Sequence, residues 1–159
     1  PEIGDVEPNF FNTTFTNYEM VAAENGKTFR FDNRIHRMIK TDKTLLKQLM
    51  TILFDNALKY TDEDGVIELT ISANDRNLFL KVSDNGPGIS TADKKKIFDR
   101  FYRVDKARTR QTGGFGLGLS LAKQITEALK GTIAVKDNKP KGTIFEVKIA
   151  IRTDNRKKK

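Results

Sequence analysis

Apolar residues recur at helical spacing in three stretches and alternate in strand fashion in about six. Phe11, Phe15, Tyr18 and Ala22 mark the first helix, which Asn9 or Asn12 is placed to cap and which Asn25-Gly26 breaks. Thr28–Asp32 and Ile35–Lys40 alternate as two short strands around Asn33-Arg34. Thr41 or Asp42 can cap a second helix. Its broad apolar face runs through Leu45, Leu46, Leu49, Met50, Leu53, Phe54, Ala57 and Leu58, ending near Thr61. After the turn Asp62–Gly65, Val66–Ser72 and Leu78–Ser83 predict a hairpin joined by Asn74–Asn77. Asp84–Ile89 is a turn with two glycines and a proline. The charged stretch 91–112 has only Ile97, Phe98, Phe101 and Tyr102 as strong apolar anchors. It predicts a long loop with a short helix, the kind of loop that usually carries function. A third helix, Leu117–Leu129, opens directly from glycines, and Thr132–Lys136 and Thr143–Ile151 pair as closing strands around Lys139-Pro140. The sum is an α+β domain with a mixed or antiparallel sheet and helices on one face.

Composition narrows what such a domain can be. The 159 residues suit a single core, with 37% apolar and 31% charged positions. With no Cys and a single His, disulfide frameworks, thiolate metal sites and multi-His metal centres are excluded. No apolar run approaches the roughly 18–20 residues needed to span a bilayer, and no signal peptide is visible, so a cytosolic location is expected for this piece. The net charge of +8 is uneven: residues 94–110 carry +6 and the tail 152–159 carries +4. A basic tail reads as a solvated end. A basic loop matters more if a phosphate lies beside it, since phosphate oxygens need cationic partners. Nucleic acid is the competing reading of the same charge.

Three separated elements carry chemistry. The run Thr112-Gly-Gly-Phe-Gly-Leu-Gly-Leu-Ser120 places glycines at 113, 114, 116 and 118 before a helix. Glycine lets backbone approach a bulky anion, and the helix N-terminus offers free N–H groups, so phosphate is the natural ligand. A hinge with close helix packing is the alternative. The run lacks the Lys-Ser/Thr of a Walker A loop, and no strand leads into it as a dinucleotide fingerprint requires. The second element, Asp84-Asn-Gly-Pro-Gly-Ile89, ends an apolar strand. A carboxylate there can accept a hydrogen bond from an exocyclic amine such as adenine N6; an ordinary Asp-Asn-Gly turn is the bland reading. In the third, Asn56, Lys59 and Tyr60 project from one helix face. An Asn carbonyl can ligate magnesium, Lys59 can meet a phosphate and Tyr60 can flank a base, or the three form a solvated polar edge.

Together these elements resemble the catalytic ATP-binding domain of bacterial sensor histidine kinases, within the family shared with gyrase-type and chaperone ATPases. Asn56-Ala-Leu-Lys-Tyr-Thr61 resembles the N box, Asp84–Ile89 the G1 box, Ile97-Phe-Asp-Arg-Phe-Tyr-Arg103 the F box and Gly114–Leu119 the G2 box. Gly142-Thr-Ile-Phe145 resembles the closing glycine-threonine element. The likeness runs from about Asp5 to Ile149. It implies a two-layer α/β sandwich of the Bergerat type, with about five strands and three helices on one face. It also implies a connector over 1–8, an ATP-binding domain over 9–151 with a lid at 91–112, and a basic tail over 152–159. Asp84 would read adenine N6 with Thr143 nearby. Asn56 would hold magnesium, Lys59 and Arg103 would contact phosphate, and Tyr60 would line the adenine side. Gly114, Gly116, Leu117 and Gly118 would offer backbone N–H groups to the phosphates. Gly86, Gly88, Ile89, Tyr102, Phe115 and Leu119 complete the implied nucleotide contacts, and Phe98 and Phe101 would anchor the lid.

The implied cofactors are ATP, with ADP as product, and magnesium. The implied reaction passes the γ-phosphoryl group to a histidine on a separate dimerisation and phosphoacceptor domain, and onward to a response regulator through the full-length protein. The parent would be dimeric and membrane-anchored, this piece cytoplasmic and monomeric, with no nucleic-acid partner. The only His, His36, lies in Arg34-Ile-His-Arg37, which does not resemble a phosphoacceptor motif, so it is expected to be structural or surface. This sequence departs from the pattern at three places. Ile52 stands one turn before Asn56, where many kinases have a second Asn and gyrase-type enzymes a general-base Glu, which argues against efficient ATP hydrolysis. Phe115 replaces a smaller residue, and Leu129-Lys130 replaces a common His-Gly pair. A serine kinase or hydrolytic ATPase on the same fold, a nucleic-acid-binding module and a nucleotide-binding domain without catalysis are the competing functions.

Overall fold

A computed structural model describes residues 1–102 and 118–153. The elements run β1 (Gly4–Val6), α1 (Pro8–Glu24), β2 (Thr28–Asn33), β3 (Ile39–Thr41), α2 (Lys43–Tyr60), β4 (Val66–Ala73), β5 (Asn77–Asp84), α3 (Thr91–Lys94), α4 (Gly118–Ala128), β6 (Thr132–Asp137), β7 (Thr143–Ala150) and β8 (Arg152–Thr153). The main sheet has the order β2-β4-β5-β7-β6. Only β2 and β4 pair in parallel. A parallel neighbour needs a crossover, and α2 supplies it. The other pairs are antiparallel, so the expected five-stranded mixed sheet is the one observed.

The helices bury the faces that the sequence pattern marks. Phe11, Phe15, Tyr18 and Ala22 of α1 are buried. The start of α1 differs from expectation: Glu7 is the N-cap, without a side-chain cap, and Pro8 opens the helix instead of Asn9 or Asn12 acting as cap. Proline's fixed φ suits the first helical turn, where its missing N–H costs nothing. Asn12 instead accepts from Asn33 Nδ2 at 3.1 Å. In α2, Leu46, Leu49, Met50, Leu53, Phe54 and Ala57 are buried, while Leu45 and Leu58 pack at the margin of the core. Tyr18 stacks on Phe54 at 4.3 Å between ring centres, which ties α1 to α2. The Tyr18 hydroxyl shares a hydrogen with Thr51 Oγ1 at 2.6 Å, and burial pushes its pKa up to about 12.

Of Ile35–Lys40, expected to be a strand, only Ile39 and Lys40 pair, together with Thr41 and outside the main sheet. Asn33 Oδ1 accepts from Ile35 N at 2.9 Å, a local turn that ends β2 and redirects the chain. β3 then joins a small sheet of order β1-β3-β8. Residues 1–8, read as a connector, therefore contain a strand with Val6 fully buried. Residues 152 and 153, read as part of a solvated tail, pair with β3. His36 is exposed, as expected.

Candidate functional site

α2 begins from a strong cap. Asp42 Oδ1 accepts from Leu45 N at 3.0 Å, and its Oδ2 accepts from Glu2 N at 2.7 Å. These backbone donors hold the Asp42 carboxyl below its usual range, the Leu45 bond first. The helix thus set carries Asn56 and Tyr60, both half-buried, and Lys59, exposed, towards its C-terminal end. Lys59 lies one turn after Asp55 and partly offsets the burial that raises the Asp55 pKa.

Two other chain segments close on this end of α2. At the end of β5, Asp84 is 6% exposed and its Oδ1 accepts from Gly86 N at 2.9 Å. A Cβ on Gly86 would lie 2.6 Å from the Tyr60 carbonyl oxygen, so only glycine lets the turn sit directly on the helix end. Asn85 Oδ1 accepts from Val66 N at 2.9 Å and fixes the same turn to the start of β4. Helix α4 packs against the same helix, α2. Its first residue, Gly118, faces Ile52, with 3.6 Å between that side chain and the place a Cβ would take. Ile52, one turn before Asn56, is thus a packing residue between α2 and α4.

The sheet register completes the arrangement. Thr143, 5% exposed, stands directly opposite Asp84 on β7. Gly142, just before it, has φ +115 and passes so close that a Cβ would be 1.9 Å from the Asp84 carbonyl oxygen. That oxygen accepts from Asn138 Nδ2 at 2.8 Å. Gly88 and Ile89 are half-buried, with Ile89 against the core, and Leu119 packs there from α4. Sequence spacing shows none of these cross-chain contacts; Asn85 and Asn138 carry no signal beyond being turn residues.

The beginning of the stretch read as a lid is partly as expected. Helix α3 covers Thr91–Lys94, capped by Ser90 Oγ accepting from Asp93 N at 3.1 Å. Phe98 meets Phe145 edge-on at 6.2 Å and anchors the segment. Phe101 does not: it is 63% exposed. Its φ of +66 turns it away from the body, and Ile97, 6% exposed, takes the second anchoring place. Tyr102 donates a short hydrogen bond to Asp93, and that bond raises the Tyr102 pKa. Arg103, Gly114, Phe115, Gly116, Leu117 and the rest of 103–117 lie outside the described residues.

The sequence of residues 41–153 matches the family of histidine kinase-, DNA gyrase B- and HSP90-like ATPases. The chain belongs to that family. Within it, this ATPase domain is 77% identical over its full 159 residues to the sensor protein CiaH of Streptococcus pneumoniae serotype 4, and it spans 36% of that protein's length. Its fold superposes on the catalytic domain of histidine kinase ThkA with a TM-score of 0.79 and 25% identity, covering 94% of this chain and 98% of ThkA's domain. It superposes equally well on full-length ShkA solved in complex with AMPPNP, at a TM-score of 0.80 and 26% identity over 96% of this chain and 32% of ShkA. ThkA has also been solved with the response regulator TrrA, and that kinase matches 93% of this chain over 41% of its own, at 26% identity and a TM-score of 0.73. This ATPase domain is accordingly the ATP-binding catalytic domain of the sensor histidine kinase type. Among its described residues no helix is long and apolar enough to cross a membrane.

Proposed function

We propose that the domain binds ATP with magnesium where the end of α2, the turn after β5 and the start of α4 converge, and passes the γ-phosphoryl group to a histidine on a separate domain. The observation that carries this is the buried Asp84. A carboxylate out of water needs donors, and the Gly86 N–H is one. A carboxylate has acceptor capacity for more, and adenine's exocyclic amine is a donor of the right kind. Thr143, fixed opposite by register, can serve the same edge of the base. Tyr60 and Ile89, both half-buried, would line the base.

Phosphoryl transfer asks for positioning and charge neutralisation more than for covalent chemistry. Lys59, exposed on the same helix as Asn56, would meet a phosphate, and Arg103 would be a second cation. The backbone N–H groups from Gly114 to Gly118 would take the remaining oxygens. Among the described residues no three His, Cys, Asp or Glu side chains come together to hold an ion. The Asn56 amide oxygen is the kind of hard donor that magnesium takes, with waters and phosphate oxygens filling the rest of its shell. When bound, magnesium neutralises charge on the phosphates. Ile52 offers no base for water where a hydrolytic enzyme would carry one, and this favours transfer over hydrolysis.

The parent would be a dimeric, membrane-anchored sensor whose other domains supply the acceptor histidine and meet the response regulator. Calorimetry tests the site: Asp84→Ala should abolish ATP binding, and near-parent affinity would remove Asp84 as the adenine reader. The reaction is tested by adding the acceptor domain of the full-length protein in trans with labelled ATP. Phosphohistidine on that domain is expected; label on serine, or steady ATP turnover without label, would replace the histidine kinase reading.

A further inference from the structure

Lys94 ends α3, in the stretch between the Asp84 turn and Phe98. Its side chain is 19% exposed, well covered for a lysine. The Nζ donates to the Ile89 carbonyl at 2.8 Å and pairs with Asp137 Oδ1 at 2.7 Å. Ile89 closes the turn that begins at Asp84. Asp137 ends β6 and stands opposite Thr143, which stands opposite Asp84. The contacts therefore form a closed circuit: Asp84 through its turn to Ile89, across Lys94 to Asp137, and back along one row of the sheet through Thr143. Ile89 and Asp137, the two ends of the bridge, also both line one cleft of about 500 Å³, formed by Pro87–Ser90 and Asp137–Gly142.

We infer that Lys94 is a positioning residue for nucleotide binding. It holds the Ile89 peptide and the start of the following segment against the sheet, so that Asp84, Ile89 and Thr143 are in place before the base arrives. The inference rests on the adenine site proposed above. Asp137 is 66% exposed, so the ion pair contributes little to global stability; its effect lies in local order. Order lost from a preformed site returns as a binding penalty. Replacing Lys94 by Met should weaken nucleotide about 3- to 10-fold, the range expected if one hydrogen bond of ordinary net strength is given up at a partly solvated site. The melting temperature should move little.

The experiment uses the 159-residue chain and competition of ATP, AMP and adenosine against a fluorescent ATP analogue. Lys94→Met and Asp137→Asn should each weaken all three by the same factor, the double variant should be no weaker than either single one, and Lys94→Arg should restore most of the loss. A loss that grows with the number of phosphates would overturn the inference, because it would make Lys94 a direct phosphate contact. Parent affinity in both variants would also overturn it, provided Asp84→Ala loses binding in the same assay. If Asp84→Ala binds like the parent, the adenine site itself fails, and the two failures are told apart.

Discussion

Gly142 lets a physical argument be tested with a built-in control. A Cβ added there would sit 1.9 Å from the Asp84 carbonyl oxygen and 2.8 Å from Asn85 Cα. Non-bonded heavy atoms rest at about 3.5–4 Å, so the ends of β5 and β7 would have to part by more than about 1 Å. The φ of +115 adds strain of about 1–3 kcal/mol for any residue with a Cβ. Parting the strands also breaks the bond from Asn138 Nδ2 to the Asp84 carbonyl, worth about 1 kcal/mol. Gly142→Ala should therefore destabilise by about 3 kcal/mol. At about 2–4 °C per kcal/mol for a domain of this size, the melting temperature falls by roughly 6–12 °C. Nucleotide affinity, measured by calorimetry where the variant is still folded, should fall at least about 10-fold, because Asp84 is moved. Gly131 supplies the control. A Cβ there would be 2.0 Å from the Lys148 carbonyl oxygen, a comparable clash, but against β7 and not β5. Lys148 lies five residues from Thr143, roughly 16 Å along an extended strand. Gly131→Ala should therefore destabilise but leave affinity unchanged at a temperature where the domain is folded. If Gly142→Ala melts and binds like the parent, the close approach is wrong. If both variants lose affinity alike, the loss is one of general stability and not of Asp84's position.

Other predictions concern single interactions. Asn56→Ala should weaken binding of ATP with magnesium far more than binding of metal-free ATP; equal loss in both titrations would remove Asn56 as the metal ligand. Gly118→Ala has room at 3.6 Å from Ile52 and should raise stability by up to about 1 kcal/mol, as Gly→Ala does in helices, while ATP affinity falls if a phosphate approaches that backbone. Phe98→Ala should destabilise by about 1–3 kcal/mol through its lost contact with Phe145, whereas Phe101→Ala should stay within about 0.5 kcal/mol in chemical denaturation. Asp42 has a folded-state pKa below its unfolded value of 3.8, so its contribution is complete above that value and lost as pH falls through the lower folded one. Asp42→Ala should cost about 1 kcal/mol at neutral pH; Asp42→Asn, still a good cap, should keep that stability and flatten its acid dependence below about pH 4.

The sequence by itself determined what is local. The apolar stripes of α1 and α2, the hairpin at Asn74–Asn77 and the cap at Asp42 follow from spacing and turn chemistry within a few residues. The motif residues Asn56, Asp84 and the glycines were legible for the same reason: each type is rare where it stands and has chemistry of its own. What only the tertiary structure decided depends on which strand lies beside which. Spacing gave Ile35–Lys40 to a strand, but the Asn33 turn ends β2, and the six-residue pattern held no sign that Ile39–Thr41 would pair in a second sheet. It gave Phe101 an anchoring place that the left-handed backbone there transfers to Ile97. Register alone set Thr143 opposite Asp84. Register too brought Gly142 so close that a Cβ would lie 1.9 Å from the Asp84 carbonyl oxygen, and put Asp137 where Lys94 could reach it. These contacts join residues dozens of positions apart, and their geometry is fixed by the packing of a whole sheet against its helices, which no local pattern encodes.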